Sequence, residues 1–254
     1  MSKVSLVLRD KLDNEMSGIH TVRIGVFTDV HYCHADVLCG TRRPSLALPK
    51  LREAMDAFRA EGVDLCLCLG DLTDHEEGDT RESVVACFRE ALSLIRSYEI
   101  PFYFIPGNHD YLMMTGEDLE ALGLRLPPYT FEAGGYRFLL LDANFRSDGR
   151  RYDVAGVEWT DSRLPADQCA FLAEALEEDA PCILCLHQNL DPFVEKHHIV
   201  KNAEEIREII KGKVRLVLQG HYHLGHESTV DDIPYVTVPA MCEGEKNSYR
   251  ILTL

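Results

Sequence analysis

Five apolar runs in this chain read as buried strands, and each gives out on Asp, Asn or His. VRIGVFT (22–28) runs into Asp29-Val30-His31, VDLCLCL (63–69) into Gly70-Asp71-Leu72-Thr73-Asp74, and PFYFIP (101–106) into Gly107-Asn108-His109-Asp110. PCILCL (181–186) runs into His187, and VRLVLQ (214–219) into Gly220-His221-Tyr222-His223. In open α/β sheets the carboxyl ends of strands face the ligand crevice, so five segments far apart in sequence are expected to converge on one place. Taken alone, an Asp after a strand is a helix cap, a His a satisfied core residue and GNHD a turn. Their joint occurrence, all of one ligand chemistry, is the signal.

Helical stretches lie between these strands. SLALPKLREAMDAFRAEG (45–62), RESVVACFREALSLIRSYE (81–99), ADQCAFLAEALEED (166–179) and AEEIREIIKG (203–212) carry apolar residues at helical spacing, the first closing on Gly62. Strand and helix alternate, which predicts sheets covered by helices. FEAGGYRFLLLDA (131–143) departs from this order and reads as a hairpin folded about Gly134 and Gly135, and the last forty residues read as short closing strands. No repeat or linker divides the 254 residues, so one domain over 1–254 is expected, with 1–20 as an N-terminal extension able to serve as an edge strand. The stretches 31–44, 111–130, 144–165 and 188–200 read as long irregular loops.

The formal net charge of −16 repels polyanions over most of the surface, which argues against extended nucleic acid as a partner. It does not exclude a small phosphorylated substrate, because bound divalent cations reverse the local field where carboxylates gather. The nine cysteines form no paired framework, and Cys182 and Cys185, three apart on a strand, point to opposite faces and cannot share a zinc. The first residues lack the long apolar core of a signal peptide, and no stretch reaches the ~20 apolar residues that span a bilayer, so a reducing cytoplasm and no membrane are expected.

Carboxylates, an amide oxygen and neutral imidazoles together suit Mn²⁺, iron or Zn²⁺ better than Mg²⁺ or Ca²⁺. Two adjacent cations need a bridging carboxylate to offset their repulsion, and Asp71 is the candidate. The series D-x-H, GDxxD, GNHD, a lone His after a strand and GHxH, in this order over residues 22–253, resembles the calcineurin-like metallophosphoesterase superfamily. That resemblance implies an α/β fold of four layers, two mixed β-sheets flanked by helices, in place of the doubly wound sheet that alternation alone suggests. It implies a first metal held by Asp29, His31, Asp71 and His223, and a second held by Asp71, Asn108, His187 and His221. It also implies a proton donor, His109, oriented by Asp74; a carboxylate partner raises an imidazole's pKa, which suits a general acid. The expected activity is hydrolysis of a phosphoester or phosphoanhydride by a water that two divalent ions acidify.

For the substrate, the single-domain form resembles cyclic-nucleotide phosphodiesterases and manganese-dependent ADP-ribose/CDP-alcohol diphosphatases, and Gly40-Thr41-Arg42-Arg43 is similar to a stretch in the latter. A small nucleotide-type phosphodiester or diphosphate is therefore expected, with Arg42 and Arg43 as candidates to fork onto a phosphate. His75 stands where protein phosphatases of the superfamily carry an arginine. Tyr111, Tyr152, Trp159 and Phe193 lie in the long loops, where an aromatic can stack on a base, and read foremost as loop anchors packing on the core; His197 and His198 read as surface residues. The rival readings are a phosphomonoesterase, a nuclease and a metal-poor interaction scaffold.

Overall fold

The computed structural model describes residues 20–154 and 156–254. The extension proposed for 1–20 lies outside the described residues, His20 excepted. Two sheets are formed. Strands β1 (Arg23–Phe27), β2 (Leu65–Cys68), β3 (Phe102–Phe104) and β10 (Arg250–Thr253) make a four-stranded sheet in the order β10-β1-β2-β3. Strands β4 (Tyr129–Ala133), β5 (Tyr136–Leu140), β6 (Cys182–Cys185), β7 (Val214–Gln219), β8 (His226–Val230) and β9 (Ile233–Thr237) make a six-stranded sheet in the order β4-β5-β6-β7-β9-β8. Both sheets are mixed. The chain's last strand returns antiparallel to β1, while β1, β2 and β3 run parallel.

Side-chain alternation along these strands builds three apolar layers. Ile24 and Val26 of β1, Leu65 and Leu67 of β2, Phe138 and Leu140 of β5 and Ile183 and Cys185 of β6 meet between the two sheets. The opposite face of the first sheet, with Phe27, Cys66, Cys68 and Phe104, packs on α1 (Ala47–Ala60) and α2 (Arg81–Arg96). The outer face of the second sheet, with Leu139, Cys182 and Leu184, packs on α5 (Ala166–Ala175) and α6 (Ala203–Ile210). This is the four-layer sandwich expected. Cys182 and Cys185 fall in different layers, as period-two geometry requires.

Local chemistry fixes the element ends. Thr80 and Ser83 form a capping box at the start of α2, and Gly62, at φ +62°, turns the chain out of α1. The hairpin between β4 and β5 pairs Ala133 with Tyr136 about Gly134 and Gly135, both at positive φ, as the turn requires. One expectation needs correction, since 111–130 is not irregular throughout. It holds two short helices, α3 (Asp110–Met113) and α4 (Gly116–Ala121), the latter capped by Thr115 and Asp118. Their one or two turns are too brief for a periodic apolar stripe to show in sequence.

Gly25 has a packing role. A Cβ built there stands 2.6 Å from the ring of Phe58, a fully buried side chain of α1. Gly25→Ala is expected to lower unfolding stability by about 1–3 kcal/mol through overpacking, read by urea denaturation, with an unchanged midpoint as the contrary result.

Candidate metal centre

At the carboxyl ends of β1, β2, β3, β6 and β7 the chain makes tight turns that carry the polar residues into one place. Among the described residues eight that are not glycine have positive φ, and four of them are Asp29, His31, Asp71 and His221. Left-handed backbone at non-glycine residues costs free energy and persists where surrounding contacts enforce it. Asp110 supplies such contacts: its buried carboxylate accepts the backbone N–H of Asp71 at 2.9 Å, Leu72 at 3.0 Å, Thr73 at 3.1 Å and Gly107 at 2.9 Å. It thereby ties the turn after β2 to the turn after β3. A Cβ on Gly107 would lie 2.1 Å from Asp71 Oδ1, so only glycine fits between the two turns.

All seven expected ligands converge. His31 Nε2 is 3.5 Å and His187 Nε2 is 3.3 Å from the same oxygen, Asp71 Oδ2. On one side of Asp71, His31 Nε2 is 3.7 Å and His223 Nε2 3.4 Å from Asp29 Oδ1. On the other side, His187 Nε2 is 3.2 Å from Asn108 Oδ1, and the rings of His187 and His221 are centred 5.0 Å apart. Asp71 therefore stands between two groups of donors.

The donor set fits divalent cations by an independent criterion. Asp29 Oδ1, His31 Nε2 and His221 Nε2 are buried and make no hydrogen bond, although buried polar atoms are nearly always satisfied. All three belong to expected ligands. The far nitrogens of three imidazoles are held: His31 Nδ1 by Asp74 at 3.0 Å, His187 Nδ1 by the Leu69 carbonyl at 2.7 Å and His223 Nδ1 by Glu243 at 2.7 Å. Such outer partners set the tautomer and ring orientation of metal-binding histidines. Among the described residues four side-chain groups hold three metal-type donor atoms within 4.8 Å of one another, and three of them, Asp71-His187-His221, His31-Asp71-His109 and His31-His223-Cys242, fall at this site.

Charge is strongly coupled here. Despite burial, contacts with His223 and His31 hold Asp29 well below the usual carboxylate range, and His109 and His31 do the same for Asp74. Against burial, Asp71 pushes His187 up to about 9. His221 goes the other way, held well below the ordinary imidazole range by burial and by the neighbouring His187.

Asp74 gathers the remaining groups. Besides His31 it meets His109 Nδ1 at 2.9 Å, Arg42 Nη1 at 2.8 Å and the His75 backbone N–H at 2.9 Å. The pairing of His109 with Asp74 is as expected, but its electrostatic outcome is not: burial, with His31 adding to it, lowers the His109 pKa in spite of Asp71 and Asp74. Arg42 Nη1 also stands 3.5 Å from His109 Nε2. Arg42 lines the cavity over the site, whereas Arg43 is not among its lining residues and instead donates its backbone N–H to Cys242 O.

That cavity has a volume of about 380 Å³ and is lined by the candidate-site residues Asp71, Asn108, His109, His221 and His223 together with Trp159, Glu195, His198, Tyr222 and Leu224. Tyr111 and Tyr152 are buried anchors, as expected. Trp159 and Phe193 are not, being 38% and 68% exposed, and His198 belongs to the cavity wall while His197 stays exposed beside it. Glu243 was not legible in the sequence, because nothing in its spacing from His223 marks it. The loop 241–244 that carries it is fixed by the buried Lys50, whose ammonium donates to the carbonyls of Met241 at 2.8 Å, Glu243 at 3.2 Å and Gly244 at 2.8 Å. Glu243→Ala is expected to weaken Mn²⁺ binding ~10–100-fold through a loosened His223, measured by titrating the metal-free protein; unchanged affinity would deny Glu243 that role.

The calcineurin-like phosphoesterase family profile matches residues 22–225. The chain belongs to the calcineurin-like phosphoesterase family. It is accordingly a hydrolase of phosphoesters. A 3′,5′-cyclic-nucleotide phosphodiesterase of Nostoc sp. is 24% identical over 231 residues, covering 87% of this chain and 79% of that protein. The DNA double-strand break repair protein Mre11 of Methanosarcina acetivorans is 27% identical over 254 residues, 96% of this chain but 37% of that one, so the chain spans little more than a third of this relative. A dimetal phosphatase from Danio rerio shares the fold at a TM-score of 0.78 and 18% identity, with 92% of each chain covered. Among the described residues of this phosphoesterase no helix is long and apolar enough to cross a membrane, and all nine cysteines are free.

Proposed function

We propose that this phosphoesterase depends on two divalent cations, Mn²⁺, iron or Zn²⁺, and acts on a small nucleotide-type phosphodiester or diphosphate. The observation that carries the reading is that Asp29 Oδ1, His31 Nε2 and His221 Nε2, buried and without a hydrogen bond, all lie on residues grouped around Asp71. Asp29, His31, Asp71 and His223 would hold one ion, and Asp71, Asn108, His187 and His221 the other. Bound there, the pair would neutralise phosphoryl oxygens and lower the pKa of an attacking water.

The chain's own residues supply positioning and a proton. His109 keeps Nδ1 on Asp74 and turns Nε2 toward Arg42 and the cavity. In the substrate-free site burial favours the neutral ring. An anionic phosphoryl group arriving beside Nε2 favours the imidazolium, and with it proton donation to the leaving oxygen. Arg42, already ordered by its ion pair with Asp74, presents its guanidinium to the same group without a further loss of rotamer freedom.

Several observations support a small nucleotide-like ester over the rival readings. The cavity volume lies within the range of small-molecule sites. The net charge of −16 disfavours a nucleic-acid strand. The cyclic-nucleotide phosphodiesterase of Nostoc sp. is matched over most of its length, while Mre11 is matched over a minority. A phosphomonoesterase remains a rival within the same chemistry, whereas a scaffold that had lost its ligands would not retain all seven positions. The test is a turnover screen with Mn²⁺ over cyclic nucleotides, ADP-ribose, CDP-alcohols, phosphomonoesters and single-stranded DNA. Hydrolysis of the nucleotide diesters or diphosphates is expected; turnover confined to DNA or to monoesters would refute the substrate class.

A further inference from the structure

We propose that Trp159 and His198 form a nucleobase-binding wall beside the phosphoryl site, a subsite that selects esters carrying a flat heteroaromatic ring. The inference rests on the phosphoesterase reading of the cavity and adds to it which part of the substrate is recognised, and by which residues.

Trp159 is the only tryptophan of the chain, and it belongs to none of the three apolar cores among the described residues. Its contacts are imidazoles: ring centroids lie 5.3 Å from His197, 5.3 Å from His198 and 5.8 Å from His221. His221 sits among the candidate ligands, so the indole stands immediately beside the place where a phosphoryl group would be held. The indole is 38% exposed and lines the cavity together with His198 and Leu224, the latter 77% exposed. Two of the few large apolar side chains left exposed thus share one cavity mouth, which marks a binding surface.

The wall is fixed before any ligand arrives. Tyr152, buried in the same loop, donates its hydroxyl to the Glu158 carbonyl at 2.8 Å, and the Asp161 N–H returns to that same carbonyl at 2.8 Å. The backbone at Glu158, next to Trp159, is thereby held by two hydrogen bonds. His198 is placed by the short 3-10 turn Lys196–His198, whose last carbonyl accepts the Asn189 N–H at 3.2 Å. Rigid aromatic area costs little entropy on binding, which makes it an efficient stacking platform.

The indole of Trp159, the imidazole of His198 and the Tyr222 ring, centred 5.1 Å from that imidazole, line one cavity with the Arg42 guanidinium, and flat rings of this kind are platforms on which a base stacks. At about 380 Å³ the cavity exceeds what a phosphoryl group alone would fill, leaving room for the sugar and base that reach the wall.

The experiment compares AMP with ribose 5-phosphate, which keeps the phosphate and sugar and lacks the base, on the Mn²⁺-loaded full chain by calorimetry and by the fluorescence of the lone tryptophan. Wild type is expected to bind AMP about 5- to 100-fold more tightly than ribose 5-phosphate, with quenching by AMP alone. The preference should vanish in Trp159→Ala and survive in part in Trp159→Phe. Equal affinities in wild type, or a preference that persists in Trp159→Ala, would overturn the proposal. So would phosphocholine binding that depends on Trp159 while AMP and ribose 5-phosphate bind alike, since that would make the wall a cation site. Failure of the underlying reading shows separately, as no affinity for either phosphate and no hydrolysis of bis-p-nitrophenyl phosphate.

Discussion

Asp71→Asn is expected to leave the protein folded, to reduce its capacity for divalent metal to one ion or fewer per chain, and to cut turnover by well over the ~10–100-fold that loss of a supporting partner costs. The reason is geometric. Asp71 Oδ2 is the one atom that both His31 Nε2 and His187 Nε2 approach, so its charge is shared by both groups of donors. An amide of the same shape removes the charge that offsets repulsion between two adjacent cations. Folding should survive, because the turn that presents Asp71 is held from outside by Asp110 and its backbone hydrogen bonds. Metal content by mass spectrometry, circular dichroism and Mn²⁺-dependent hydrolysis separate these effects. Two tightly bound ions in the variant would remove Asp71 from the bridging position.

His109→Ala is expected to behave differently, keeping both ions and slowing hydrolysis by ~10²–10⁴-fold. His109 points Nδ1 to Asp74, and its backbone N–H donates to Asp71 Oδ1 at 2.7 Å; alanine preserves the second contact. The orientation of Asp71 is therefore retained while the proton donor is lost. A leaving group of low basicity, such as p-nitrophenolate, needs little protonation, so the deficit should shrink on aryl esters and be largest on alkyl esters. Loss of metal in this variant, or an equal deficit on both kinds of ester, would place His109 in a structural role.

Much of the site was legible in the sequence because its chemistry is concentrated at strand ends. Apolar runs of six or seven residues announce β1, β2, β3, β6 and β7, and the polar residues that follow are carried to one end of the sheets whichever exact order the strands adopt. The five polar clusters could thus be named from residue type and position, and the resemblance to the metallophosphoesterase superfamily implied the seven ligands within them. What escaped depends on contacts between segments with no periodic mark. Glu243 reaches His223 only because Lys50 fixes an irregular loop, and Asp110, visible as part of GNHD, shows its work only when the turns it ties together are seen.

Two misjudgements share a cause. Trp159 and Phe193 read as anchors because large aromatics in loops usually find the core, yet here Tyr111 and Tyr152 take that role and leave Trp159 at the cavity mouth. His109 was expected to gain basicity from Asp74, but the sequence carries no measure of burial, and burial beside His31 outweighs the carboxylate. The pairing of partners was readable; the balance of desolvation against charge was not.

The account stands on two groups of donors sharing Asp71, and the most direct test is the stoichiometry of Mn²⁺ binding to metal-stripped protein, followed by electron paramagnetic resonance. Two ions per chain are predicted, with the exchange-coupled spectrum of a neighbouring pair. Saturation at a single ion, or two ions with uncoupled spectra, would contradict it.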